Sequence, residues 1–69
     1  MQVCVEVPDA ALAALRTEPE DFIRQVLFLA AARWYEQGRV SQEVAARIAG
    51  LDRTDFLLAL ARAGLDSFP

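Results

Sequence analysis

Arginine is the residue type in this sequence that is best suited to binding a charged partner. All 7 basic residues are arginines, and guanidinium groups bind phosphates and carboxylates in a bidentate geometry. The sequence offers few residues for catalysis, because it has no histidine, lysine or asparagine. Cys4 could be activated as a nucleophile only by a carboxylate base. The 10 acidic residues show no spacing typical of a metal site. We therefore expect a protein that is not an enzyme and that holds no cofactor or metal.

The last third of the chain has the pattern of a helix-turn-helix. Two helices are predicted there, over residues 42–49 and 53–63. Ala46 places a small side chain where the second helix crosses the first, and Gly50 allows the positive φ that the turn needs. Leu51 follows as the apolar residue that anchors the turn in the core. The pattern therefore predicts two short helices that pack across each other.

A helix-turn-helix usually inserts the start of its second helix into the major groove of DNA. Arg53 and Thr54 lie at that start, directly after the predicted N-cap residue Asp52. Asp52 and Asp55 place negative charge at the same end, although their capping role accounts for both. The side chains predicted to contact bases or flanking phosphates are Arg39, Ser41, Arg47, Arg53, Thr54 and Arg62. Two alternatives follow: a DNA-binding regulator, or a protein-interaction module that keeps this scaffold but does not bind DNA.

Size and composition predict self-association. A chain of 69 residues is close to the lower limit for a stable lone core. With one cysteine and no histidine, neither an intrachain disulfide nor structural zinc is available to stabilise it. The hydrophobic fraction is 55%, so a single copy is not expected to bury all of its apolar surface, and we expect a homodimer. The net charge of −3 weighs against a nucleic-acid partner.

The opening segment, residues 2–7, has the alternating pattern of a half-buried strand. Val3, Val5 and Val7 share one face, and all three are β-branched. Because no other segment has a strand pattern, we expect this strand to pair with its copy about a two-fold axis, which places the three valines in a dimer interface. The alternative is an extended arm that lies on the helices of its own chain.

Two further helices are predicted in the front half of the chain. The first covers residues 8–15. The second begins at a capping box in which Thr17 is the N-cap, continues to about residue 37 and stops at Gly38.

The longer of these helices carries two apolar stripes. The stripe expected to face the core consists of Phe22, Ile23, Val26, Leu27, Ala30 and Trp34. A second line contains Phe28, Ala31 and Tyr35. Either Phe28 and Tyr35 lie under the C-terminal helices, or they form an interface with a second subunit or another partner.

The predicted fold is mainly α: one N-terminal strand that pairs across a homodimer, followed by four helices that end in the helix-turn-helix. Residues 1–69 form a single domain, in which residues 1–38 supply dimerisation and residues 39–65 the helix-turn-helix.

The longest apolar run has 7 residues, and a membrane span needs about 20. The opening segment lacks the features of an export signal, and the unpaired thiol favours a reducing compartment, so we expect a cytoplasmic protein with no membrane partner.

Five stretches of the sequence carry a resemblance. They are V-x-V-P near the start, T-x-P-E-D-F, A-A-A-R-W-Y-E-Q-G-R-V-S, A-A-R-I-A-G-L and D-F-L-L-A-L-A-R-A-G-L. All five lie within residues 3–65, and this run resembles a family of small uncharacterised prokaryotic proteins described as antitoxins of toxin–antitoxin modules.

The resemblance implies a front half like a ribbon-helix-helix protein, a helix-turn-helix behind it, and binding to DNA or to a partner toxin. The structural positions that it carries over are Gly38, Ser41, Gly50 and Gly64. Members of that family usually continue past the final Gly-Leu with an acidic tail that engages the toxin. Here Pro69 follows closely, so we expect toxin contact to use another surface, such as Phe28 and Tyr35, or to be reduced.

Overall fold

A computed structural model describes residues 1–64, and that part of the chain is all-helical. Its four helices are α1 (Asp9–Leu15), α2 (Pro19–Glu36), α3 (Gln42–Ala49) and α4 (Arg53–Arg62). None of these helices in residues 1–64 has the length and apolar character needed to cross a membrane. The predictions that involve residues 65–69 lie outside the described residues.

The predicted N-terminal strand is wrong. Residues 2–7 form no strand, and none occurs elsewhere within residues 1–64. Val3 and Val5 are 69% and 67% exposed and only Val7 is half-buried, so the segment is not a covered arm on its own helices either. Alternating β-branched residues favour a strand, but a strand forms only where its backbone groups can pair with a neighbour. The described part of the chain offers no such neighbour.

The capping box predicted at the start of α2 is also wrong by one residue. Pro19 is the first helical residue and restricts the residue before it to an extended backbone, which is the conformation of an N-cap. Glu18 therefore becomes the N-cap, without a side-chain hydrogen bond to the helix. Thr17 lies outside the helix, where its hydroxyl accepts a hydrogen bond from the Gln25 side chain at 3.4 Å.

The ends of α3 and α4 follow the sequence prediction closely. The Ser41 side chain accepts a hydrogen bond from the backbone N–H of Val44 at 3.1 Å, and the Asp52 carboxylate accepts one from Asp55 at 2.7 Å. Gly50 ends α3 in the left-handed region, with a φ of 73°. No atom lies within 4 Å of where its Cβ would be, so backbone conformation and not space favours glycine here.

The core lies where α2, α3 and α4 meet. Its buried side chains are Ala31 and Ala32 of α2, Ala45 and Ala46 of α3, and Phe56 and Leu60 of α4. The alanines allow α2 and α3 to approach closely, because the distance between packed helices depends on the side chains at the contact. The large side chains Phe56 and Leu60 then fill the space beside this alanine seam.

The face of α2 that was predicted to face the core is wrong. None of its residues is buried in the described structure, and Ile23 and Val26 are 38% and 40% exposed. The buried face lies on the opposite side of the helix, at Ala31 and Ala32, with Phe28 packed beside them. Both faces of α2 are apolar, so the helical periodicity of the sequence does not indicate which of them is buried. The choice depends on which face lets α3 come close, and alanine does so better than isoleucine or valine.

Candidate nucleic-acid interface

An open groove, called the charged groove, lies between α3 and the start of α4. It is lined by Glu43, Ala46, Arg47, Leu51, Asp52, Arg53 and Thr54. Its position follows from local structure: the left-handed Gly50 reverses the chain, and the Asp52 cap fixes where α4 starts. Arg53 and Thr54 are consequently the first two residues of α4, and they face the same groove as Arg47 of α3.

The groove brings together three of the six residues predicted to contact DNA, namely Arg47, Arg53 and Thr54. The other three do not line it. Ser41 uses its hydroxyl to cap α3, the Arg39 guanidinium lies over the Trp34 ring at 6.0 Å from the centroid, and Arg62 lies at the end of α4.

The charges that line the groove balance. Two arginines, Arg47 and Arg53, face two carboxylates, Glu43 and Asp52. In addition, the Arg53 guanidinium donates a hydrogen bond to the Gln42 side-chain oxygen at 2.8 Å. A phosphate would therefore meet one guanidinium that is already partly engaged and no net positive field.

Sequence reasoning missed the roles of Gln42 and Glu43. Gln42 holds Arg53, and Glu43 contributes one of the two groove carboxylates. A usable signal was present, because Gln42 and Arg53 each directly follow an N-cap and are the first residues of two helices joined by a tight turn. Side chains at two such neighbouring helix starts can meet.

A second groove, of about 640 Å³, is mostly apolar and lies between α2 and the turn that joins α3 to α4. Its lining residues include Leu27, Phe28, Ile48, Leu51 and Ala59. Phe28 and Tyr35 were predicted to lie either under the C-terminal helices or in a partner interface. Each makes an edge-to-face contact with the Phe56 ring, with centroids 5.9 Å apart. Both are half-buried, so each supports α4 from within the chain and keeps part of its surface exposed.

Within residues 1–64, no group of three or more potential ligands is arranged to hold a metal ion. Cys4, the one cysteine of the sequence, is exposed. The charged groove and the apolar groove are both concave surfaces of the described residues that could take a partner.

Within residues 1–64, the protein is all-helical and has a charge-balanced groove at the start of α4, beside α3. Both of these helices have a side-chain cap. The chain belongs to the uncharacterised protein family UPF0175, whose family model matches residues 1–67. It is similar to a UPF0175 protein from Aeropyrum pernix, with 38% identity over 64 residues that cover 93% of this chain and 67% of that protein. No solved structure matches the chain.

Proposed function

We propose that this protein is a cytoplasmic, non-enzymatic DNA-binding regulator of the antitoxin type, acting as a homodimer through a helix-turn-helix formed by α3 and α4. The observation that carries the proposal is the meeting of Arg47, Arg53 and Thr54 in one groove at the start of α4. That is the end of a recognition helix from which base contacts are made. Thr54 would contact a base edge or a phosphate, and the two arginines would contact guanine or the backbone.

Two features support the assignment of α3 and α4 to this role. Their junction is short, with Gly50 in the left-handed region and Asp52 capping the second helix. In addition, Arg53 is held at the groove by Gln42, so its side chain is oriented before DNA binds. On binding, the Arg53 guanidinium would exchange the neutral Gln42 acceptor for an anionic phosphate or a guanine edge. A dimer doubles these contacts, which a groove without net charge requires.

The test is a gel-shift titration with the DNA upstream of the protein's own gene, at low and moderate salt. The double variant R47A/R53A should bind at least about tenfold more weakly, and its salt dependence should fall by about one unit of slope for each phosphate that the variant no longer neutralises. Arg24→Ala is the matched control, because Arg24 is an exposed arginine paired with Asp21 on α2. It should bind as wild type.

A dimeric, folded protein that shifts no upstream fragment at low salt would reject the proposal. Equal losses of affinity for R47A/R53A and Arg24→Ala would reject the groove as the DNA-contacting surface, because they would indicate only a general effect of positive charge.

The alternative function is a protein-interaction module that binds a toxin or another partner. Two observations favour this alternative: the charged groove has no net charge, and the apolar groove has a mostly apolar lining. Leu27 is 41% exposed on the rim of the apolar groove, so Leu27→Glu should abolish co-purification with the protein encoded by the adjacent gene. Leu58→Glu, at a 49% exposed site that does not line that groove, should leave co-purification intact. If Leu27→Glu still co-purifies with that protein, the apolar groove is rejected as the docking site.

A further inference from the structure

The side of α2 that faces away from the core is a continuous apolar surface, called the outer face here. It consists of Phe22, Ile23, Val26, Leu29 and Ala30. Ile23, Val26 and Leu29 are 38%, 40% and 57% exposed, and no ionisable side chain lies on this face between Phe22 and Ala30. A helix that is apolar on both sides is usually covered on both sides. In the described chain, α3 and α4 cover only one of them.

The order of side chains on the outer face is symmetrical about Val26. Phe22 lies four residues before it and Ala30 four residues after it, while Ile23 and Leu29 lie three before and three after. If two copies of α2 cross in antiparallel orientation at Val26, the largest side chain of one copy faces the smallest of the other. Ile23 then faces Leu29, a pair of similar volume. This is the self-complementarity that a two-fold interface requires, since the same patch serves both subunits.

The charges at the two ends of α2 are complementary in the same arrangement. The first turn and its cap carry Glu18, Glu20 and Asp21, whereas Arg33 lies on the outer face near the other end. In the antiparallel pair, Arg33 reaches the position of Pro19 in the second copy, which Glu18 and Glu20 flank. Opposite helix dipoles add to the attraction. A different partner would have to supply both the matching side chains and the matching charges, whereas a second copy supplies both by symmetry.

We propose that a second copy of this chain docks on the outer face, with the two α2 helices antiparallel and Val26 on the two-fold axis. This deepens the proposed function, which requires a dimer, and assigns the interface to α2 and not to residues 2–7. Arg33 forms an exposed ion pair with Glu36 at 2.9 Å within its own chain, and exchanging that contact for the second copy's acids costs little.

Cysteine cross-linking tests the geometry directly. In a Cys4→Ser background, Val26→Cys should form a disulfide-linked dimer on oxidation with diamide, because a residue on the axis meets its own copy within the Cα separation of about 4.4–6.8 Å that a disulfide needs. Ile23→Cys alone should stay uncross-linked, since six residue positions separate the two copies by about 9 Å along the helix axis. A mixture of Ile23→Cys and Leu29→Cys should give the heterodimer.

Leu58→Cys is the control for random collision, because Leu58 is 49% exposed on α4 and lies off the outer face. If Val26→Cys forms dimer no faster than Leu58→Cys, the proposal is overturned. The same holds if Ile23→Cys cross-links to itself as fast as Val26→Cys, because that would indicate another register.

Mass in solution gives a second measurement. Light scattering should give twice the chain mass of 7.6 kDa for the wild type. Val26→Glu should give the single-chain mass with its helical circular dichroism retained, and Leu58→Glu should remain dimeric. A folded Val26→Glu dimer, or a wild type that is monomeric at all accessible concentrations, would overturn the proposal. If Val26→Glu fails to fold, the cross-linking result decides.

The outcomes separate this proposal from the proposed function. A dimer cross-linked at Val26 that shifts no upstream DNA supports the interface and rejects DNA binding. A clear gel shift by a protein that fails the Val26 cross-linking test supports DNA binding and rejects this interface.

Discussion

The two halves of the chain satisfy their helix ends in different ways. In the C-terminal half, Ser41 and Asp52 cap α3 and α4 with side-chain hydrogen bonds. In the N-terminal half, neither α1 nor α2 has a side-chain cap, and no residue of α1 is buried in the described structure. The contrast teaches that α3 and α4 are specified by their own residues and by the core, whereas the front half depends on what packs against α2.

The C-terminal ends of α1 and α3 repeat this contrast. Both helices end at a residue in the left-handed region, but α3 has Gly50 there and α1 has Arg16, at a φ of 52°. Glycine adopts that conformation without steric cost, and arginine does not. The front half therefore carries backbone strain that the C-terminal half avoids.

The largest expected effect on stability tests whether the C-terminal half carries the core, and it is expected at Phe56. Phe56→Ala removes a fully buried ring that contacts both Phe28 and Tyr35, and should lower the free energy of unfolding by about 3–5 kcal/mol. Urea denaturation at one fixed protein concentration measures it. Leu58→Ala on the same helix is the control and should cost less than about 1 kcal/mol, because Leu58 is exposed. Equal losses of stability would show that the core does not lie under α4.

A smaller effect is expected at the helix caps. Asp52→Ala should cost about 1 kcal/mol, because it removes the acceptor for the backbone N–H of Asp55. Thr17→Ala should cost less than about 0.5 kcal/mol, since the Thr17 side chain does not cap α2 and the substitution keeps the Thr17 backbone N–H. The pair of variants is compared by thermal denaturation under identical conditions. A loss of stability at Thr17 as large as that at Asp52 would mean that α2 begins at the predicted capping box after all.

The smallest effect is expected at Arg16. Arg16→Gly should stabilise the end of α1 by about 0.5–1 kcal/mol, because glycine relieves the left-handed strain there. Since no residue of α1 is buried in the described structure, the gain should appear as slower hydrogen exchange of the α1 amides, with little change in the melting temperature. Faster exchange in the variant would contradict the assignment of strain to Arg16.

Local chemistry made most helix boundaries predictable. The starts of α3 and α4 follow from Ser41 and Asp52, whose side chains bond within three residues, and the end of α3 follows from Gly50. The groove residues Arg47, Arg53 and Thr54 could be found for the same reason, because two correctly placed helices and one short turn bring them together. These are contacts between neighbours in sequence.

The failures depend on contacts between distant residues. The valines of residues 2–7 have a strand pattern, but no local rule tells whether a neighbouring strand exists. The wrong core face of α2 has a similar cause: Val26 and Phe28 lie on opposite sides of one apolar helix, and only the position of α3 decides which side is buried. The hydrogen bond between Arg53 and Gln42 also joins two helices. Neither helix pattern alone predicts it, and it follows only when the two helix starts are considered together.

The alanine seam, formed by Ala31, Ala32, Ala45 and Ala46, fixes the distance between α2 and α3. Ala45 and Ala46 of α3 are buried in one cluster with Ala31 and Ala32 of α2, so a shift of α3 towards or away from α2 would create a clash or a void. Arg47 follows directly on this seam and is carried at a constant offset from the outer face. In the proposed dimer, two copies joined at Val26 would hold their grooves at one separation. If that dimer binds DNA as proposed, four alanine methyl groups far from any base would set the spacing between its half-sites.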